Sequence, residues 1–117
     1  MRALPAAESP VQIVHRHVEA MNKRDIDGFM AELADGVSLI SAAGQTLVHG
    51  RDAVRGVYAG VFNANPELKT ELMDRINVGS WVFDEHLMSG FASGKPLHLV
   101  RVYQVVDGRI QSIKIFD

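Results

Sequence analysis

Leu97-His-Leu-Val-Arg-Val-Tyr-Gln-Val-Val106, then Asp107-Gly108, then Arg109-Ile-Gln-Ser-Ile-Lys-Ile-Phe116: two apolar-rich runs flank a two-residue turn at the end of the chain. Asp-Gly at such a position is the strongest short hairpin signal, because a type I′ turn requires positive φ at both central residues. Upstream, Trp81 to Ser89 reads as a further strand, with the Gly- and Ser-rich loop Gly90 to Pro96 after it. Glu67 to Val78 reads as a long strand turned at Gly79-Ser80. Four strands joined in chain order by short connections predict an antiparallel meander.

The first half has the other period. Ser9-Pro10 offers a capping hydroxyl and a proline at the first helical position, and Val11, Val14, Val18 and Met21 follow at helical spacing to about Asn22. Asp25 caps a second helix carrying Ile26, Phe29, Met30 and Leu33, with Gly36 as its expected stop. Val37 to Ala42 and Thr46 to His49 form a small hairpin around Ala43-Gly44. A third helix runs from about Arg51 to Phe62 and ends at Asn63-Ala-Asn-Pro66. Helices segregated ahead of a meander predict an α+β domain with the helices on one face of the sheet.

At 117 residues the chain holds one domain, expected over 9–117 behind a disordered leader at 1–8. Hydrophobic residues make up 47% and charged residues 22%, and 12 basic against 14 acidic residues leave a net charge of −2. No basic run interleaved with aromatics points to nucleic acid. With no cysteine there is no disulfide framework, thiol nucleophile or thiolate-held metal. The leader has no apolar core for export, and no apolar run has membrane-spanning length, so the expected location is the cytoplasm. No metal-binding spacing, phosphate loop or nucleophile elbow is present, and neither metal nor cofactor is expected.

Strands 97–106 and 109–116 are apolar on both faces: Leu97, Leu99, Tyr103 and Val105 on one, Val100, Val102 and Val106 on the other. Helices cover one face only, so a second copy of the chain is expected on the other, giving a homodimer.

One stretch breaks the apolar pattern. Asp84-Glu-His86 places three ionisable residues in a row inside Trp81-Val-Phe-Asp-Glu-His-Leu-Met88. Alternation leaves two arrangements open. Either Glu85 goes inside with Trp81, Phe83 and Leu87, or Asp84 and His86 go inside with Val82 and Met88. Both bury charge, and a buried charge requires a partner or a pocket.

Several blocks resemble the SnoaL-like branch of the nuclear transport factor 2-like superfamily, which includes ketosteroid isomerase. They are Val18-Glu-Ala-Met-Asn22 with Asp25-Ile-Asp-Gly28, His49-Gly50 leading into Ala53-Val-Arg-Gly-Val-Tyr58, Asn65-Pro66, Val78-Gly-Ser-Trp-Val-Phe-Asp84, and Val102-Tyr103 running to Asp107-Gly-Arg-Ile110. The resemblance implies a cone-shaped α+β barrel in which three N-terminal helices pack on a curved, mainly antiparallel sheet. It implies a pocket in the cone and a dimer through the sheet's outer face. The fold hosts many chemistries, so it names no substrate. The isomerase's catalytic aspartate falls at Ser41, its oxyanion tyrosine at His17 and its oxyanion acid at or beside Val100. None of the three groups is in place, and the same mechanism is excluded.

For the charged triplet the resemblance implies Glu85 inward and Asp84 and His86 outward. Asp84, His86, Arg101 and Tyr103 are then expected at the dimer seam, with Asp84 and His86 paired to Arg75 or Arg101. Glu85, enclosed by Trp81, Phe83 and Leu87, becomes the candidate general base, since desolvation raises a carboxylate's pKa. His17, inside the apolar stripe of the first helix, is the second proton-handling candidate, or else a core-edge histidine bonded to a carbonyl. Phe29, Tyr58, Phe62, Trp81, Phe83, His98 and Val100 are expected to line the pocket. Its ligand is expected to be a small apolar molecule, handled by isomerase-, cyclase- or hydratase-type acid-base chemistry without a cofactor; the alternative is a non-catalytic dimeric ligand-binding or interaction module whose pocket is filled by its own side chains.

Overall fold

The computed structural model describes residues 8–117, so all but Glu8 of the expected leader lies outside the described residues. Three helices precede and interleave with six strands: α1 (Pro10–Asn22), α2 (Ile26–Ala31), β1 (Leu33–Ser41), β2 (Thr46–His49), α3 (Arg51–Ala64), β3 (Lys69–Val78), β4 (Trp81–Ser89), β5 (Leu97–Val106) and β6 (Arg109–Phe116). Helix α1 starts where its chemistry dictates: Gln12 N–H donates to Ser9 Oγ at 3.2 Å, and Ser9 N–H donates to Gln12 Oε1 at 2.8 Å. Asp25 caps α2 by accepting from Gly28 N–H at 3.0 Å.

Helix α2 ends earlier than its apolar spacing predicted. Leu33, read as the helix's i+7 residue, opens β1 and pairs with Ile110, and Gly36 lies inside that strand. Two arginines take over the exposed carbonyls at the helix end: Arg51 Nη2 donates to Met30 O at 2.9 Å and Arg109 Nη1 to Ala31 O at 3.0 Å.

The sheet order is β2-β1-β6-β5-β4-β3, with β1 parallel to β6 and every other pair antiparallel. The meander β3 to β6 is therefore as the turn chemistry predicted, and Asp107 and Gly108 both have positive φ, at 52° and 76°. The three helices pack against one face of the curved sheet and form the cone. Between them lie Ile13, Val14, Phe29, Leu33, Val37, Val54, Leu68, Tyr103, Ile110 and Ile113, all essentially inaccessible. The edge strand β3 is tied to α1 by a side chain that imitates a strand: Asn22 Nδ2 donates to Thr70 O at 2.9 Å, and Thr70 N–H donates to Asn22 Oδ1 at 2.7 Å. No helix of the described residues is long and apolar enough to cross a membrane.

The outer face of the sheet is bare. Trp81, Phe83, Ile76, Val78, Val106 and Phe116 are exposed there, Trp81 at 40% and Ile76 at 58%. Its shallow grooves include one of about 550 Å³ lined by Trp81, Phe83, Val100, Val102, Lys114 and Phe116.

Candidate functional site

Strand β4 turns Val82, Asp84, His86 and Met88 toward the helices, where Asp84 and His86 have no accessible surface at all. Trp81, Phe83, Glu85 and Leu87 face the other way. The expected orientation of the triplet is thus reversed, and the cross-strand partners explain why. Asp84 stands opposite Arg75 on β3 and Arg101 on β5, whereas Glu85 stands opposite Asp74 and Val100. Turned inward, Glu85 would be a carboxylate beside a carboxylate with no donor across the ladder. Turned inward, Asp84 meets two guanidiniums, and a buried carboxylate is tolerated only with such partners.

The inner residues form one connected chain. Arg75 grips Asp84 with two bonds, Nε to Oδ1 at 2.6 Å and Nη2 to Oδ2 at 2.8 Å. His86 Nε2 lies 3.1 Å from Asp84 Oδ2, and Arg101 Nη1 lies 2.9 Å from His86 Nδ1. Arginine can only donate and an ionised carboxylate can only accept. These contacts therefore fix His86 as the neutral tautomer, with Nε2–H donating to Asp84 and Nδ1 accepting from Arg101. Arg101 Nη2 also reaches Met88 Sδ at 3.4 Å, while its Nε is buried without a partner. Burial pushes the Asp84 carboxyl up, but the hydrogen bonds from Arg75 and His86 outweigh it and hold the group below its ordinary value.

His17 does enter the cone. Its Nδ1 lies 3.0 Å from Phe29 O, and a carbonyl only accepts, so Nδ1 carries the proton and Nε2 the lone pair. The ring stacks on Phe29 at 3.9 Å and meets the edge of Tyr103 at 5.8 Å. Burial pushes the imidazole down to about 3, against the help of the Phe29 carbonyl, so it stays neutral across the physiological range. That is the carbonyl-bonded core histidine of the sequence reading, not an acid or a strong base.

An apolar cavity of about 320 Å³ opens between the helices and the sheet. Met21 of α1, Tyr58, Val61 and Phe62 of α3, Leu39, Met88 and Ile115 of the sheet and Phe91 of the following loop line it, with Leu47, Val57 and Leu97 nearer the exposed rim. Among the described residues its wall holds no carboxylate and no histidine. The one charged group in it among the described residues is Arg101, which ties the cavity to the buried chain.

Of the expected pocket residues, Tyr58 and Phe62 line this cavity, and Phe29 packs behind them with ring centroids 4.5 Å and 5.6 Å away. Trp81, Phe83 and Val100 line the outer groove instead, because they share the parity of Glu85. His98 is outside as well: its Nε2 lies 2.7 Å from Glu85 Oε2 in an exposed pair. The four residues expected at a seam, Asp84, His86, Arg101 and Tyr103, are all inside. Large apolar neighbours decide this for β5, since burying Leu99, Tyr103 and Val105 carries Arg101 in with them. The sequence reading missed Arg101 as a cavity residue although its alternation with Leu99 and Tyr103 was visible. Arg75 turns inward because it stands opposite Asp84 in unbroken register from the Gly79-Ser80 turn, and the β-bulge at Leu72/Asp74 lets Thr70, five residues earlier, face inward as well.

No curated protein matches this chain. Among solved structures, the chain is similar to an uncharacterised cystatin-fold protein from Novosphingobium aromaticivorans (19% identity, TM-score 0.87, covering 95% of this chain and 100% of that one). It is similar to TerC co-crystallised with polyporic acid (17%, 0.77, covering 92% and 91%). It is also similar to a hypothetical protein with a ketosteroid isomerase-like fold from Catenulispora acidiphila in complex with trimethylamine (16%, 0.75, covering 91% and 85%). At such identities these likenesses concern the fold alone. The match to the SnoaL-like domain family model runs over residues 14–113, nearly the whole chain, and with the cone-shaped fold it makes this protein a member of the SnoaL-like family.

Proposed function

We propose that the protein binds a small apolar molecule inside its cone. The observation that carries this is the cavity of about 320 Å³, walled by aliphatic, thioether and aromatic side chains and opening at a rim of exposed Leu47 and Val57. That volume is at the lower end for small-molecule sites, and a mostly apolar wall with one oriented polar group is their usual make-up. Glu85 has no part in the site, since its side chain is on the far side of the sheet.

A second reading, an acid-base enzyme without a cofactor, is favoured by the unbroken path from Arg101 in the wall through His86 to Asp84. In that reading His86 acts only after Arg101 releases its Nδ1. His17, held neutral with its Nδ1–H on the Phe29 carbonyl and its Nε2 lone pair free of that contact, serves as a hydrogen-bond acceptor at Nε2 and takes up no second proton. The bare outer face of the sheet, with its row of exposed apolar side chains, supports a homodimer formed there.

Thermal-shift screening tests the binding reading, because a ligand specific for the folded state adds about 2.7 kcal/mol of stability at a hundredfold excess over its Kd. The shift is expected to disappear in a Leu47→Trp/Val57→Trp variant, whose bulk closes the rim at exposed positions. A shift that survives in that variant would move the ligand to another surface.

A further inference from the structure

The cone interior carries an unbalanced charge. Arg75 and Asp84 neutralise each other through a two-bond grip, and His86 is held neutral between Asp84 and Arg101. Arg101 is left with a full positive charge and only neutral acceptors, the His86 nitrogen and the Met88 sulfur. It is 5% exposed, its Nε–H is buried without a partner, and it forms part of a cavity wall containing no carboxylate. A buried cation with no counter-charge is costly, and a guanidinium with a free donor is shaped to receive an oxygen.

The geometry points to an apolar monoanion as the ligand of the cone: a hydrocarbon or aryl body in the cavity, with one carboxylate- or enolate-type oxygen against the Arg101 guanidinium. This rests on the binding reading above and narrows it. Two neighbouring observations agree with a charge set for anions. Asp84 is the only acid in the buried chain among the described residues, and both of its oxygens are already engaged by Arg75, one of them also by His86, so it does not compete for Arg101. A cationic ligand would instead meet the guanidinium in a low-dielectric wall, where like charges repel most strongly. The rest of the cavity has nothing with which to bind a second charge, so a dianion gains no second partner.

A matched ligand series on the unmodified protein tests this at pH 7: phenylacetate, phenylpropionate and phenylbutyrate, each against its primary amide and the amine of the same skeleton. Isothermal titration is expected to give the carboxylate at least tenfold tighter binding than its amide, and the amine weaker than both. The Arg101 Nε–H resonance, followed by ¹H–¹⁵N NMR, should move on carboxylate addition and stay in place with the amide. The preference should vanish in Arg101→Met, which keeps the apolar stem. If amides bind as tightly as acids, or amines bind more tightly, the oxyanion assignment is overturned while the apolar cone stands. If no member of the series binds, both readings fall together.

Discussion

Arg75 holds Asp84 from directly across the β3–β4 ladder, with both bonds of a guanidinium fork closed at 2.6 and 2.8 Å on a carboxylate that has no accessible surface. The pair anchors everything that follows it. Asp84 orients His86, His86 receives Arg101, and Arg101 meets the cavity. A fork–carboxylate contact fixes direction as well as energy, so the cavity's single charged group is positioned through two intermediaries by a residue on the sheet edge.

Removing Asp84 should therefore be among the most damaging substitutions in the chain. Asp84→Ala leaves a part-buried Arg75 and a fully buried His86 without their acceptor, and breaking such a pair costs about 3–5 kcal/mol. Glu85→Ala, one residue along, breaks only an exposed contact with His98 and should cost at most about 1 kcal/mol. Urea unfolding of the two variants under identical conditions makes the comparison. Equal losses would mean that the assigned faces of β4 are wrong.

Tyr103 gives the opposite expectation. Its hydroxyl is buried with no partner, and burial pushes the phenol well above its ordinary value, so it remains a donor with nothing to donate to. Deleting an unsatisfied buried hydroxyl removes a desolvation penalty and leaves the ring's packing in place. Tyr103→Phe should be neutral or stabilising by up to about 1 kcal/mol, read from the denaturant midpoint at unchanged slope. A clear loss of stability would reveal a partner for the hydroxyl.

Most of the architecture could be read in advance because local chemistry specified it: Ser9-Pro10 and Asp25 start helices, and Asp107-Gly108 sets the hairpin that fixes the β5–β6 register. Alternation also restricted β4 to two arrangements. Choosing between them required knowing what stands opposite, and that is a non-local fact. The partner of Asp84 lies nine residues away across the Gly79-Ser80 turn, and their pairing alone leaves open which face of the sheet the two share; the bulge at Leu72/Asp74, which reverses the parity of β3 toward its start, is announced by no residue type around it. The family resemblance supplied a face for Glu85, but this chain's own charge partners override it. The seam expectation for Asp84, His86, Arg101 and Tyr103 rested on the same resemblance, and it fails on β5 because Leu99 and Tyr103, on the face of Arg101, require burial.

Acid should reveal His17. Its folded pKa is lowered to about 3 from 6.5, so the unfolded chain binds the proton first as pH falls. The stability it contributes is complete above about pH 6.5 and declines as pH drops toward 3, by about 1.4 kcal/mol per pH unit at most. Asp84, also lowered, has the same sign but acts only beneath its ordinary value of 3.8. Between pH 6 and 4 the two contributions therefore separate. His17→Gln should be less stable at neutral pH yet lose about 2–3 kcal/mol less than wild type over that interval. Parallel stability-pH curves would show that His17 can be protonated in the folded state.

The outer face makes the last prediction. Phe83 and Val102 are cross-strand partners there, with Trp81 and Phe116 lining the same groove. An apolar surface of this kind marks an interaction site, and a second copy of the same face would be self-complementary about a two-fold axis. Sedimentation equilibrium at micromolar concentration should give twice the chain mass. Phe83→Lys/Val102→Lys should reduce it to the chain mass with the circular dichroism spectrum preserved, because neither side chain reaches the cone. The same variant should keep the ligand preference assigned to Arg101, since β5 presents residues 100 and 102 to one side and 101 to the other. A monomeric wild type would leave the two-sided apolar pattern of β5 without its cause, and loss of ligand binding with the dimer would mean that the cone is completed by its partner.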